Sequence, residues 1–333
     1  MKRARLPLCG VAITGAMAIL CAGVDVRAQT YPAKPVRIVV PFAPGGGNDI
    51  IARILAQRLH EAWGQVVIVE NRPGAGGLIG FESVLKVPAD GYTLGIGSIS
   101  TLAVIPLTLA KPRYDPLTDF APVTLISTVP YMLVTHPSLP ARTLAEFVKL
   151  ARDKPAQINY GSAGYASGTH LTAEYFSKVT GVKLVHVPYK GDGPASVDIV
   201  AGQISSGFFT TTIMGQHVRS GKLRSIAIMS AERSRELPAV PTMIEQGYAG
   251  FHAQSWQGIS VRAGTPAAIV RKLNTDLVQI LHTPDVRNRI ESMGNTVSPG
   301  TPEAFEQFIT KEIAKWKQVI TTAGIRIEPG NGS

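Results

Sequence analysis

Cysteine is almost absent from this chain of 333 residues: Cys9 and Cys21 are the only two, and both fall in the first 28 positions. Once that segment is removed no thiol remains, which excludes a disulfide scaffold, thiol catalysis and a cysteine-held metal. The seven histidines (His60, His136, His170, His186, His217, His252 and His282) show no His-x-x-x-His spacing and no neighbouring carboxylate pair, so no metal site is expected. The basic residues are scattered and form no stripe interleaved with aromatics. A net charge of +10 therefore implies no nucleic-acid partner, only a mild field that gathers small anions. Neither G-x-G-x-x-G nor Gly-Lys-Ser/Thr occurs, so no cofactor is expected. No repeat of fixed period and no low-complexity tract is present.

What the N-terminus does hold is tripartite. Lys2, Arg3 and Arg5 precede an apolar run from Leu6 through Ala22, and Val26-Arg-Ala28 places a small residue before Gln29. This is the pattern of a secretory signal peptide, expected to end near Ala28. Pro7, Gly10 and Gly15 interrupt the run, and no charged stop-transfer segment follows, which argues against a permanent anchor. Neither cysteine follows the small residue that a lipoprotein site requires. Export without disulfides suits a bacterial periplasmic protein large enough to build its own core. The remaining chain, about 305 residues and about +7 in charge, is enough for two domains.

One stretch organises the rest. Val36–Val40 is a β-branched run; Gly45, Gly46 and Gly47 follow, and Ile51, Leu55 and Leu59 then repeat at helical spacing. Asn48 is the expected N-cap, and Asp49 is an acid in the first turn that suits its own helix terminus. A strand, a glycine loop and a helix in this order converge backbone N–H groups and the positive helix end on one small space, which suits an anion. The pattern returns about 115 residues later. A strand at Ile158–Tyr160 leads to Gly161-Ser-Ala-Gly-Tyr-Ala-Ser-Gly-Thr-His170 and a helix over Leu171–Thr180. If the two units sit in separate α/β domains, an anion gripped from both sides favours a closed form. Between and beyond them short apolar strands alternate with helical patterns, ending in a helix from Pro266 to Leu281 and a long one from Pro302 to Thr322.

The cluster of Ser162, Ser167 and His170 raises the alternative of an exported serine hydrolase. Nucleophilic catalysis needs a base in reach and a third group to orient it, and neither serine lies in a Gly-x-Ser-x-Gly elbow. A cleft-lining or capping role is the expectation for His170, and no catalysis is expected. Tyr189 either meets a ligand or packs, and Trp63, Trp256 and Trp316 read as core or hinge residues.

With these residues in view, the chain resembles the Bug family, the periplasmic solute-binding receptors of tripartite tricarboxylate transporters. The matching stretches include Val40-Pro-Phe-Ala-Pro-Gly-Gly, Glu70-Asn-Arg-Pro-Gly-Ala-Gly-Gly77, Ala89-Asp-Gly-Tyr-Thr-Leu94, Tyr160-Gly-Ser-Ala-Gly, Val187-Pro-Tyr-Lys-Gly191, Leu237-Pro-Ala-Val-Pro-Thr242 and Trp256-Gln-Gly. They occur in family order across residues 31–325. The resemblance implies an α/β, type II periplasmic-binding-protein fold: two α/β domains, a ligand cleft and a two-strand hinge. The domains expected are residues 29–126 with 254–333, and 127–253. It implies a receptor that captures a small carboxylate and delivers it to membrane permease subunits, working as a monomer. The same fold acting as a sensor for a two-component system is the alternative.

The site it implies is built from Phe42, Ala43, Pro44, Gly45 and Gly46 on one loop and Gly161, Ser162, Ala163, Gly164 and Ser167 on the other. Ser98 and Thr101 line the first-domain side, Tyr189 and Asp192 the second-domain side, with Asp49 and His170 as further ligand-binding candidates. Leu102, Ile105, Ala166, Ser205 and Thr210 depart from the family pattern, the last two where acids are usual. These departures argue for a less polar rim and against an amino-acid ligand, whose ammonium would favour a nearby acid. Micromolar binding requires about 8 kcal/mol. Hydrogen bonds to a charged group contribute roughly 1.5–3 kcal/mol each, so four or five from two loops suffice without an arginine clamp.

Overall fold

The computed structural model describes Met1, residues 31–109 and residues 111–323. The expected signal segment lies outside the described residues, apart from Met1. The described residues from Pro32 onward form one body.

In chain order the body begins with β1 (Val36–Val40), α1 (Gly47–Trp63), β2 (Val67–Asn71), α2 (Leu78–Glu82), β3 (Thr93–Ser98) and α3 (Ile105–Thr108). Then come β4 (Phe120–Thr135), α4 (Leu144–Asp153), β5 (Asn159–Ser162), α5 (Gly168–Thr180), β6 (Val185–Pro188), α6 (Asp192–Val200), β7 (Ser206–Thr210), α7 (Thr211–Arg219) and β8 (Arg224–Ile228). The chain closes with β9 (Gln254–Arg262), α8 (Ala267–His282), α9 (Pro284–Glu291), β10 (Thr296–Val297) and α10 (Pro302–Ala323). A π-helical turn at Ser100–Val104 joins β3 to α3.

The strands form one curled sheet in the order β2-β1-β3-β9-β4-β7-β5-β6, with β8 and β10 also paired to β4. At each end the strands are parallel: β1 with β2 and β3, and β5 with β6 and β7. The middle is antiparallel, and there β4 is the shared element. Its first part, Phe120–Pro130, pairs with β9. From Tyr131 onward it pairs with β7 and β8. Two strand-like runs separated by Pro130 thus form one 16-residue strand, because Pro130 sits where the pairing changes partners. The exchange falls a few residues beyond position 127.

The cores follow the predicted periodicity. Ile51, Leu55 and Leu59 of α1 are fully buried, as a stripe at i, i+4 and i+8 requires. Thr143 and Glu146 close a reciprocal capping box at the start of α4. Trp256 and Trp316 are both fully buried and both donate from Nε1 to Glu312 on α10 (2.9 and 3.2 Å). Through these contacts, and packing on β4 and α5, α10 straps the crossing region. Helix α9 and strand β10 carry too few apolar positions to stand out in the sequence.

The topology decides where a site can be. In open α/β sheets ligands lie beyond the carboxyl ends of parallel strands, where order reverses. Here the segments following β1, β3, β5 and β6, and the last residue of β7, all converge on one small cavity.

Candidate functional site: a polar cavity between two strand–loop–helix units

The cavity has a volume of about 30 Å³. Phe42, Gly46, Gly47 and Asn48 wall it on one side, and Ala163, Ser167, Gly168 and Thr169 on the other. Ser98 ends β3 and Ser100 follows it; Asp192 enters from α6, and Tyr131, Ser255 and Gln257 come from the crossing strands. No lining residue is Lys or Arg.

The first wall is set by the loop from β1 to α1. Gly45 takes φ +84°, a left-handed conformation that few other residues accept. Its N–H donates to Asp49 Oδ2 at 3.0 Å. Asp49 Oδ1 accepts from Asn71 Nδ2, which also donates to the Phe42 carbonyl, and Arg53 donates to the same carboxylate. Burial pushes the Asp49 carboxyl up, but the hydrogen bonds from Arg53, Gly45 and Asn71 outweigh it and hold the pKa below its ordinary value. Asp49 therefore braces the loop from behind and does not line the cavity, contrary to its placement among ligand contacts. The N-cap is Gly46 rather than Asn48, and no side chain caps the helix. Among the described residues, the N–H groups of Gly46, Gly47 and Asn48 meet no protein acceptor, so the first turn is left with bare donors.

The second wall looks alike in sequence but is closed by its own side chains. Ala163 N–H donates to Thr169 Oγ1 (2.9 Å), Gly164 N–H to Ser162 Oγ (3.1 Å) and Ala166 N–H to His170 Nδ1 (3.2 Å). Ser167 caps α5 by accepting from the His170 N–H. Gly168 N–H donates across to Ser100 Oγ at 2.9 Å. Ser98 Oγ is buried at the cavity wall with no partner among the described residues.

The tempting serine–histidine cluster resolves differently from the expectation. Ser162 Oγ shares a 2.6 Å hydrogen bond with His186, not His170, and Ser162 is fully buried off the cavity wall. The two imidazoles stack at 4.0 Å with an interplanar angle of 8°. Burial lowers His170 to about 3, with His186 adding to the effect, and burial lowers His186 to about 4. His186 Nδ1 has no partner among the described residues, so no third group orients it. The pair supports the β5–α5 loop as neutral packing.

Of the remaining candidates, Ser98, Ala163, Ser167, Asp192, Phe42 and Gly46 line the cavity. Thr101 lies behind, its Oγ1 accepting from the Ser98 N–H at 3.1 Å. Gly161 faces Ile204 in the core. Ala43 spends its N–H on the Lys190 carbonyl (2.9 Å), and the Pro44 carbonyl and Gly45 press against Gly193. Tyr189 and Gly164 line a second, larger cavity of about 440 Å³ beside the first. It shares Ala163 with the polar cavity and is walled by Leu78, Ile79, Ile105 and Tyr165. The Tyr189 hydroxyl donates to Asp198 at 2.5 Å.

Residues missed in the sequence are instructive. Tyr131, Ser255 and Gln257 reach the cavity only because β4 and β9 cross beneath it, a relation no local motif records. Thr210, noted as a departure, lines the cavity, whereas Ser205 bonds Asn159 away from it.

The comparisons with known proteins place the chain in a family. Residues 51–325 match the model of the tripartite tricarboxylate transporter family receptor. The chain belongs to this family. It is 38% identical over 304 residues to protein BugT of Bordetella pertussis, covering 91% of this chain and 93% of that one. A solved R. palustris structure with adipate superposes at a TM-score of 0.85 with 36% identity, covering 89% of this chain and 99% of the other. MatC from Rhodopseudomonas palustris with bound malate gives 0.84 and 31%, covering 87% and 100%. Members of the family are periplasmic solute-binding receptors, and the fold is that of periplasmic binding proteins. Among the described residues no helix is long and apolar enough to cross a membrane, and no cluster of His, Cys, Asp or Glu could hold a metal ion.

Proposed function

We propose that this receptor captures a small carboxylate in the polar cavity, without catalysis, and presents the closed form to the permease of a tripartite transporter. The observation that carries the reading is the bare first turn of α1. Its N–H groups and helix dipole face a cavity that has hydroxyl donors but no cationic side chain. The similar receptors with adipate and malate hold carboxylates, which supports the same class here.

The reading includes export, with the N-terminal segment removed near Ala28. It also includes two lobes that move about the crossings at Pro130–Tyr131 and Ala253–Gln254, where β4 changes partners. Among the described residues, few hydrogen bonds join the two lobes: Ala43 N–H to the Lys190 carbonyl, Gly168 N–H to Ser100 Oγ, Asn295 Nδ2 to Thr212 Oγ1, Thr211 Oγ1 to the Gly294 carbonyl and Lys315 Nζ to His252 Nδ1. So few bonds suit a trap that reopens. The apolar cavity beside the polar one has room for the hydrocarbon part of a ligand.

Calorimetric titration with mono-, di- and tricarboxylates tests the reading. At least one acid is expected to bind at micromolar Kd, equivalent to about 8 kcal/mol. Gly46→Trp, which fills the cavity, is expected to abolish binding while leaving the circular dichroism unchanged. Unaltered affinity in that variant would sink the proposal.

A further inference from the structure

An acid has no obvious place in an anion trap, yet Asp192 lines this one. It is the only carboxylate among the lining residues. Its Oδ1 is buried and meets no hydrogen-bond partner among the described residues. A buried carboxyl oxygen left without a donor costs more than a surface one, and burial accordingly holds the Asp192 carboxyl up at about 7. The titratable group that faces it, Tyr131 from β4, is itself raised by burial and adds no positive charge.

The bland account is that Asp192, first residue of α6, complements its own helix terminus. That account leaves Oδ1 unexplained, since no N–H of α6 reaches it.

The backbone around Asp192 is fixed by close contact with the opposite loop. A Cβ on Gly193 would lie 2.3 Å from the Pro44 carbonyl oxygen, and one on Gly191 would lie 3.0 Å from the Ala43 nitrogen. A Cβ on Gly46, the N-cap of α1, would come within 3.8 Å of the Asp192 Cβ. Asp192 therefore stands beside the bare donors of α1, and the cavity between them is only about 30 Å³. A carboxylate on those donors leaves room for a few atoms more, so whatever meets Asp192 is attached next to the carboxylate.

We propose that Asp192 is a specificity-determining residue that accepts a hydrogen bond from an ammonium or hydroxyl group on the carbon adjacent to the ligand's carboxylate. The inference rests on the receptor reading above and narrows it to 2-amino or 2-hydroxy acids. It also reverses the expectation drawn from Ser205 and Thr210: the acid absent from those positions is supplied by Asp192.

The test is calorimetry on the purified protein with two matched sets: succinate, malate and aspartate, and butanoate, 2-hydroxybutanoate and 2-aminobutanoate. One substituted acid is expected to bind about 10–100-fold more tightly than its unsubstituted parent, the value of a hydrogen bond to a charged acceptor. Asp192→Ala is expected to reduce that advantage to within about threefold. Asp192→Asn separates the two donors, because a neutral acceptor keeps the preference for a hydroxyl and loses that for an ammonium. Equal binding of parent and substituted acids by the unmutated protein, or an advantage that survives Asp192→Ala, would overturn the proposal and leave the receptor reading standing. No binding by any of the six acids, nor by the wider panel, would overturn both.

Discussion

The β1–α1 and β5–α5 units share one local pattern and do opposite things with it. In the first, Asp49 turns inward to hold Gly45, and the N–H groups of Gly46, Gly47 and Asn48 stay unspent. In the second, Thr169, Ser162, His170 and Ser167 take the N–H groups of Ala163, Gly164, Ala166 and His170, and Ser100 takes that of Gly168. On the reading proposed above, one unit is the binding end and the other a shaped wall. A strand–glycine–helix pattern locates an anion site, but the hydroxyl and carboxylate side chains around it decide whether any donor is left for a ligand.

The largest expected effect comes from keeping the two units apart. Gly193→Val places a side chain on the Pro44 carbonyl and Gly45, in the loop that leads into α1. Carboxylate affinity is expected to fall by more than about 100-fold, a loss of about 2.8 kcal/mol, while thermal stability changes little. Affinity within a few-fold of the unmutated protein would show that closure is not part of binding.

Removing each unit's brace sharpens the comparison. Asp49→Ala strips the acceptor from Gly45 and takes one partner each from Arg53 and Asn71, costing about 1–3 kcal/mol of stability and loosening the β1–α1 loop. Because the Asp49 pKa is depressed in the folded protein, its stabilising effect is complete above its ordinary value of 3.8 and is lost as pH falls through the lower folded value. Ser167→Ala removes a helix cap at about 1 kcal/mol. It is expected to weaken carboxylate binding less than Asp49→Ala does. Urea denaturation paired with calorimetry checks both variants, and a reversed order of binding losses would contradict the division of roles.

Asp192 and the stacked histidines titrate in opposite senses. The Asp192 pKa is raised to about 7, so between pH 4 and 7 the folded state holds a proton that the unfolded chain has released, and stability falls as pH rises. His170 and His186 are lowered to about 3 and 4, so the unfolded chain takes up protons first below about 6.5 and stability falls as pH drops. Asp192→Asn is therefore expected to raise Tm at pH 8 by a few degrees and to leave it unchanged at pH 4. Thermal melts across that range would expose the histidine dependence alone in this variant.

The smallest effect concerns Ala166, a non-glycine residue that adopts φ +58°. Ala166→Gly relieves left-handed strain but adds unfolded-state freedom, so the net gain in stability is expected to be under about 1 kcal/mol.

How far the sequence revealed this arrangement follows from how local each feature is. The α1 stripe and both glycine loops rest on residues a few positions apart, and all were legible. The passage of β4 through Pro130 was not, because proline usually ends a strand and the change of partner is a long-range fact. Asp49 and His170, read both as local caps and as ligand-binding candidates, fall off the cavity wall for a related reason. Sequence proximity to a glycine loop does not say which side of the loop a side chain takes. Asp49 faces Asn71 and Arg53, and His170 lies on His186, sixteen residues away. Gln257 and Tyr131 reach the cavity only through the strand crossing.

The central claim is that the bare first turn of α1, more than the self-capped turn of α5, receives the carboxylate. Amide NMR on the labelled protein, titrated to saturation with the tightest acid from the calorimetric panel, measures this directly. The account predicts large downfield shifts and slowed exchange for the N–H groups of Gly46, Gly47 and Asn48, and small ones for Ala163, Gly164 and Ala166. Shifts of equal size in both loops, or larger in the second, would contradict it.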